Sequence, residues 1–315
     1  MEEKKLRILY MGTPQFAVAP LQFLVENGYN VVGVVTMPDK PIGRGQKMGE
    51  SAVKTYAKEA GLNILQPEVL KDETFINEMQ QLEVDLAIVV AFRMLPKIIW
   101  GMPRLGTFNL HTSLLPDYRG AAPINWAIIN GDKKSGVTTF MLDEKIDTGD
   151  IIGSREVEIS DEDNFGTLHD KLMNEGVKLV EDSVKWVANG EISLQKQSEN
   201  ENLRPAPKIF KEDCKIDWSL DCKSIVNLIR GLSPYPTAWT DFGGAYGEQF
   251  SMKIFGAQAE ICDTQSADIG SVVTDGKKYL KIVSKDGYVE LLDVQASGKK
   301  RMDVGSFVRG NKIMM

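Results

Sequence analysis

Short strand-length stretches, apolar or alternating, take turns with helix-spaced ones through the first half of the chain. Residues 7–11, 31–35, 62–65 and 86–91 are compact, mostly apolar stretches of strand length, and 107–111 alternates polar with apolar residues. Between them, residues 15–26 carry Phe16, Leu21, Leu24 and Val25 on one helical face, with Gly28 just past the end. Residues 51–60 read as a helix capped by Ser51 and followed by Gly61, and residues 74–82 as another. A helix over 123–130 opens on Pro123 and stops at Gly131, and a long one over 168–187 is closed by Gly190. Strands alternating with helices predict a doubly wound, mostly parallel α/β sheet. Ligands of such sheets sit beyond the carboxyl ends of the strands, and the run 107–111 ends at His111.

The pattern then changes. Residues 191–208 are polar and contain proline, which predicts a linker. After a short helix over 223–230 come brief alternating runs at 238–242, 250–255, 271–274, 279–284 and 288–294, separated by glycine and Asp-Gly turns. Several short strands at this spacing predict a small β-barrel. The expected organisation is therefore a domain over 1–190, a linker over 191–208 and a second domain over 209–315.

Composition is that of an ordinary globular protein: 315 residues, 43% hydrophobic and 26% charged. No apolar run is long enough to span a bilayer, so no membrane partner is expected. The opening Met1-Glu2-Glu3-Lys4-Lys5 resembles neither a signal nor a transit peptide. The 3 cysteines, Cys214, Cys222 and Cys262, fit no metal knuckle or disulfide framework and are expected as reduced thiols in a cytoplasmic protein. Net charge is −7, which argues against a surface coated by nucleic acid. From Lys208 onward, however, 15 basic residues face 14 acidic ones, against 22 and 30 before it. That split is compatible with a local nucleic-acid contact and equally with chance variation among surface charges.

Gly12-Thr13-Pro14-Gln15 follows the first strand, where a dinucleotide-binding domain carries G-x-G-x-x-G. Pro14 and Ala17 occupy the second and third glycine places, so nicotinamide or flavin binding is not expected. Residues 37–50 read as a long irregular loop rich in glycine, proline and basic side chains, a kind of segment that is usually functional or disordered.

Asn109 and His111 carry the strongest chemical signal. On a strand, side chains at i and i+2 leave one face, so the two point together while Phe108 and Leu110 enter apolar packing. An amide donor beside a titratable ring suits acyl transfer, where an oxyanion must be steadied and a proton moved. The other histidine, His169, sits in the predicted long helix beside Asp170 and Lys171 and is expected at the solvated surface. Asp147, before Thr148-Gly149, is by itself either a turn former or a third functional group.

These residues, with their surroundings, resemble the methionyl-tRNA formyltransferase family of 10-formyltetrahydrofolate-dependent enzymes. The resemblance runs through Gly12-Thr13-Pro14, Pro38-Asp39-Lys40-Pro41, Gly43-Arg44-Gly45 and Asn109-Leu110-His111. It continues through Ser113-Leu114-Leu115-Pro116, Tyr118-Arg119-Gly120-Ala121-Ala122-Pro123, Asp147-Thr148-Gly149 and Ile216-Asp217-Trp218-Ser219, and so spans nearly the whole chain. It implies a Rossmann-like formyltransferase domain followed by an OB-like barrel. It also implies transfer of a formyl group from the folate to the α-amino group of methionyl initiator tRNA, in support of translation initiation. Asn109, His111 and Asp147 are then the catalytic three, and Ser113, Leu114, Leu115 and Pro116 the folate turn. Lys40, Arg44, Lys47 and Lys208 are the candidate tRNA contacts, with Arg44 foremost. The expected enzyme is a monomer that uses no metal.

Two departures from the family pattern fall near the expected folate pocket. One is Ala91-Phe92-Arg93 in place of Ala-Tyr-Gly, and the other is Thr112 in place of a glycine. Rival readings with the same chemistry are formyltransferases acting on a ribonucleotide amine or an amino sugar, or a formyl-folate hydrolase. From other classes the rivals are a catalytically silent RNA-binding protein and a nicotinamide dehydrogenase. The basic loop and the second domain favour tRNA. The intact Asn109, His111 and Asp147 argue against silence.

Overall fold

The computed structural model describes residues 3–42, 47–199, 202–243, 249–263 and 267–311. The first elements in chain order are β1 (Ile8–Gly12), α1 (Val18–Glu26), β2 (Val31–Val35), β3 (Lys40–Ile42) and β4 (Lys47–Gly49). They continue with α2 (Ala52–Glu59), β5 (Ile64–Leu65), α3 (Glu73–Gln81), β6 (Leu86–Val90), α4 (Lys97–Trp100) and β7 (Thr107–His111). Next are α5 (Pro123–Ile129), β8 (Lys134–Met141), β9 (Ile151–Glu158) and α6 (Phe165–Asn189). The remaining elements are α7 (Cys222–Leu232), β10 (Ala238–Gly243), β11 (Gln249–Ile261), β12 (Val272–Thr274), β13 (Leu280–Ser284), β14 (Gly287–Ala296), β15 (Met302–Asp303) and α8 (Val304–Gly310). Among the described residues no helix is long and apolar enough to cross a membrane.

By compactness the chain divides into two units. One comprises Met1–Gly120, Ser135–Val157 and Asp170–Pro205; the other comprises Ala121–Lys134, Glu158–His169 and Ala206–Met315.

The first unit is built on a seven-stranded sheet in the order β5-β2-β1-β6-β7-β8-β9. The first five strands are parallel, and β8 runs antiparallel to β7. This is the mostly parallel α/β sheet that the alternation of strands and helices predicts. β1 and β6 are buried along their whole length, as expected of strands covered on both faces. On one face Leu9, Met11, Ala87 and Val89 pack with Phe75 and Met79 of α3. Tyr10 is fully buried and donates its hydroxyl to Ala17 O at 2.7 Å, while burial holds its phenol well above the usual range. A Cβ at Gly12 would stand 2.7 Å from the Ala17 Cβ, so this glycine lets the entry to α1 close onto the strand.

Three features of this unit differ from the sequence reading. β8 and β9 have no apolar run to betray them. β8 buries Thr138 and Thr139 among its apolar residues, and hydroxyl pairing makes that tolerable: Thr138 Oγ1 donates to Ser113 O at 2.7 Å and Thr139 Oγ1 meets Ser183 Oγ of α6 at 2.7 Å. β9 is an edge strand whose Arg155 pairs with Asp182 of α6 at 2.6 Å. The stretch 37–50, expected as an irregular loop, contains the antiparallel hairpin β3–β4. Its base is fastened by Lys54 Nζ on Asp39 Oδ2 at 2.5 Å and by Gln66 Nε2 donating to Asp39 Oδ1 at 2.9 Å. The hydrogen bond from Lys54 holds the Asp39 carboxyl below its usual range and lifts the lysine.

In the second unit, β10-β11-β14-β13-β12 form an antiparallel sheet with β15 paired to β14, which fits the OB-like expectation. β11 runs 13 residues, well past the expected end at 255, with an irregularity at Gly256 where the register shifts. Its core joins Ile225, Ile229 and Leu232 of α7 to Met252, Ile254, Leu291 and Val294 of the sheet and Phe307 of α8. α7 starts on Asp221, whose carboxylate accepts the Ser224 N–H at 2.9 Å. α5 packs on α7, with Asn125 Nδ2 donating to Gly231 O at 2.7 Å. A Cβ at Gly231 would lie 3.0 Å from Asn125 O, so the close approach needs glycine.

Candidate active site

Strand β7 has the predicted bounds and the predicted facing. Phe108 is fully buried and Leu110 is 3% exposed. A Cβ at Gly176 of α6 would sit 2.9 Å from the Leu110 side chain, so helix and strand touch closely there. On the opposite face Asn109 is half-buried and His111 buried. Among the described residues the Asn109 amide has no hydrogen-bond partner. A half-buried amide left uncommitted is available to a ligand.

His111 is oriented from both sides. Its Nε2 lies 2.9 Å from Tyr118 O. A carbonyl can only accept, so Nε2 carries a proton in that pair and Nδ1 is the ring nitrogen left for chemistry. Nδ1 faces Asp147 Oδ2 at 3.9 Å, too far for a direct hydrogen bond. The edge of the ring meets Phe140 on β8, with centroids 6.5 Å apart. Tyr118 itself is fixed by its N–H donating to Arg204 O at 2.6 Å. Arg204 also stacks over the Tyr118 ring at 4.6 Å and pairs with Asp117 at 3.2 Å.

Asp147 sits in the loop between β8 and β9 with φ of +55°, in the left-handed region that aspartate tolerates better than most residues. Its Oδ2 accepts the Gly120 N–H at 2.9 Å. Gly149 could carry no side chain, because a Cβ there would stand 1.7 Å from Met141 O. A cleft of about 300 Å³, lined among others by Arg119, Lys145, Thr148 and Gln197, borders this loop. The structure thus brings His111 and Asp147 to one place, with Asn109 beside His111 on the same strand face.

The turn Ser113-Leu114-Leu115-Pro116 leaves β7 directly. Ser113 is fully buried and donates its hydroxyl to Asp117 O at 2.7 Å, so that group braces the loop. Thr138 of β8 pins the same loop, donating to Ser113 O at 2.7 Å and accepting from Leu115 N at 3.2 Å. Leu115 is buried. Leu114 and Pro116 are half-buried, and Leu114 leans on Gly136, where a Cβ would come within 2.4 Å.

Of the basic positions, Lys40 is exposed at the start of the hairpin and Lys208 is exposed with its Nζ 5.4 Å over the Phe210 ring. Arg44 and the Lys47 side chain lie outside the described residues. His169 is half-buried, with Phe165 at a centroid distance of 5.9 Å. Arg93, one of the family departures, has a structural use: it donates to Glu68 O at 2.8 Å and to Pro67 O. Sequence reasoning missed Thr138, Gln197 and Arg204. Tyr118 was visible only as part of a motif.

The family model described as formyl transferase matches residues 4–184, and that of the formyl transferase C-terminal domain matches 208–312. A methionyl-tRNA formyltransferase from Bacteroides thetaiotaomicron is 54% identical over 99% of this chain and 98% of its own. Among solved structures, the sugar 3N-formyl transferase WlaRD, crystallised with dTDP and 5-N-formyl-THF, aligns with a TM-score of 0.64. It is 22% identical and the match covers 94% of this chain and 99% of that one. HypX from Aquifex aeolicus in complex with tetrahydrofolic acid aligns with a TM-score of 0.64 at 18% identity over 98% of this chain. The chain spans about half of HypX, 48%. The fold and the two matching family models define a formyl transferase. The chain belongs to the methionyl-tRNA formyltransferase family.

Proposed function

We propose that this enzyme moves the formyl group of 10-formyltetrahydrofolate to the α-amino group of methionyl initiator tRNA. The observation that carries the reading is the pairing of an uncommitted Asn109 amide with a His111 ring whose free Nδ1 faces Asp147 at 3.9 Å. Membership of the family names the acceptor, and the folate-bound relatives suggest the donor.

The residues divide the work as follows. The amine nitrogen attacks the formyl carbon, and its new C–N bond leaves a tetrahedral oxyanion. Asn109 donates to that oxygen, a contact whose loss typically costs ~10²–10³ in rate. His111, through Nδ1, and Asp147 take the proton that the amine sheds. The C–N bond to folate N10 then breaks and N10 receives a proton, so no net proton is consumed. Asp147 also orients the amine. The turn 113–116 forms one wall of the folate site. Because Ser113 spends its hydroxyl on Asp117 O, main chain, Leu114 and Pro116 supply the contacts to the ring system.

Residues 1–190 carry the chemistry, and 209–315, joined through 191–208, help to hold the tRNA. Lys40, Arg44, Lys47 and Lys208 contact its phosphates, which makes tRNA binding weaken with salt. The enzyme works as a monomer in the cytoplasm.

The test offers formyl-labelled 10-formyltetrahydrofolate together with initiator Met-tRNA, uncharged tRNA, glycinamide ribonucleotide and an amino-sugar nucleotide. Label is expected on Met-tRNA alone. Label on either small acceptor, or release of free formate only, overturns the assignment.

A further inference from the structure

We infer that Gln197, in the polar segment that follows α6, is a positioning residue for Asp147. This inference rests on the proposed reaction, because it assigns Asp147 a part in it. The Gln197 amide donates from Nε2 to Asp147 O at 2.9 Å and to Gly149 O at 2.8 Å. Its Oε1 accepts from Arg119 Nε at 3.0 Å and Arg119 Nη2 at 2.7 Å. All four hydrogen-bonding places of the amide are therefore filled. Its orientation is also decided: a guanidinium only donates and a carbonyl only accepts, so a flipped amide would lose every one of these bonds.

The arrangement grips Asp147 at two points. Arg119, acting through Gln197, fixes the main-chain carbonyl, and the next residue, Gly120, donates its N–H to the carboxylate at 2.9 Å. Asp147 needs such a grip, since its backbone lies at φ +55° and the chain two residues on is pressed against Met141 O. Gln197 is itself held in register two residues after Gln195, which exchanges hydrogen bonds with Ile151 at 2.8 and 2.9 Å. Gln197, which takes no part in the proposed bond changes itself, thereby sets where the acid stands relative to His111 Nδ1. Misplacement of a reacting group by about 1 Å can cost on the order of a hundredfold.

Two variants test this. Gln197→Glu keeps the shape and the pairing with Arg119 but has no N–H to give either carbonyl. Gln197→Ala removes the side chain. Each is assayed for kcat and for KM of both substrates, and for hydrogen exchange at the Gly120 amide, whose acceptor is the Asp147 carboxylate. Both variants are expected to lose kcat roughly ten- to a hundredfold, with each KM within about twofold of the parent, and to exchange the Gly120 amide faster. If Gln197→Ala fails to fold, Gln197→Glu alone decides. Unchanged kcat, a loss confined to KM, or unaltered Gly120 exchange in Gln197→Glu overturns the inference. Gly120 exchange needs no substrate, so it judges the grip on Asp147 even if the acceptor assigned above is wrong.

Discussion

Strand β7 and the segment from Gln195 to Arg204 contribute to the same site by opposite means. β7 is five residues of strict alternation, and it carries two groups that can do chemistry. The segment has no apolar period and is given no part in the proposed chemistry. Yet Gln197 holds the Asp147 loop and Arg204 holds Tyr118, whose carbonyl fixes the ring of His111. Periodicity delivers a side chain to the right face of a sheet, to within a strand register. The last ångström is set by hydrogen bonds from polar residues whose order in sequence obeys no pattern.

The comparison can be broken by substitution. His111→Ala should have the largest effect, a loss on the order of 10²–10⁴ in kcat with both KM values nearly unchanged. A rate near that of the parent would remove β7 from the chemistry. Gln197→Glu should come next, at roughly ten- to a hundredfold in kcat. A loss as deep as that of His111→Ala would mean that the segment does more than aim. Arg204→Ala removes a stack worth about 1 kcal/mol or less and an exposed ion pair worth less still, so a few-fold fall in kcat is expected. A fall of a hundredfold in steady-state kinetics would show that Tyr118 has no other adequate support. Lys40→Ala should be mildest: a KM for tRNA raised a few-fold, a shallower salt dependence, and no change in KM for the folate. An unchanged salt slope would take Lys40 out of the tRNA contact.

How far the sequence discloses the molecule follows the same division. β2 and β7 have their expected bounds because their apolar runs are unbroken or strictly alternating. The helix over Ala52–Glu59 was marked by the hydroxyl of Ser51, which does accept the Lys54 N–H at 3.0 Å. β8 escaped because buried Thr138 and Thr139 look polar, and only the partners Ser113 O and Ser183 Oγ make them acceptable inside. The hairpin β3–β4 escaped because prolines and glycines hide short pairing, and because the clamp on Asp39 is Lys54 of the following helix. Ser113 reads as a hydroxyl offered outward, whereas the fold turns it in to Asp117 O. Arg93 reads as an intrusion near the pocket and is instead tied to the carbonyls of Pro67 and Glu68. For β8, the hairpin and Arg93 the missing information is a partner well removed in sequence, whereas the partner of Ser113 lies only four residues on.

The account's central claim is that Asn109 and His111 serve one carbonyl at one moment of the reaction. Single-turnover formylation of initiator Met-tRNA by Asn109→Ala, His111→Ala and the double variant tests it most directly. Groups that act together are strongly non-additive, so the double variant should be scarcely slower than the worse single one. If the two losses multiply, as they do for independent sites, the two residues do not share a transition state and the account is wrong.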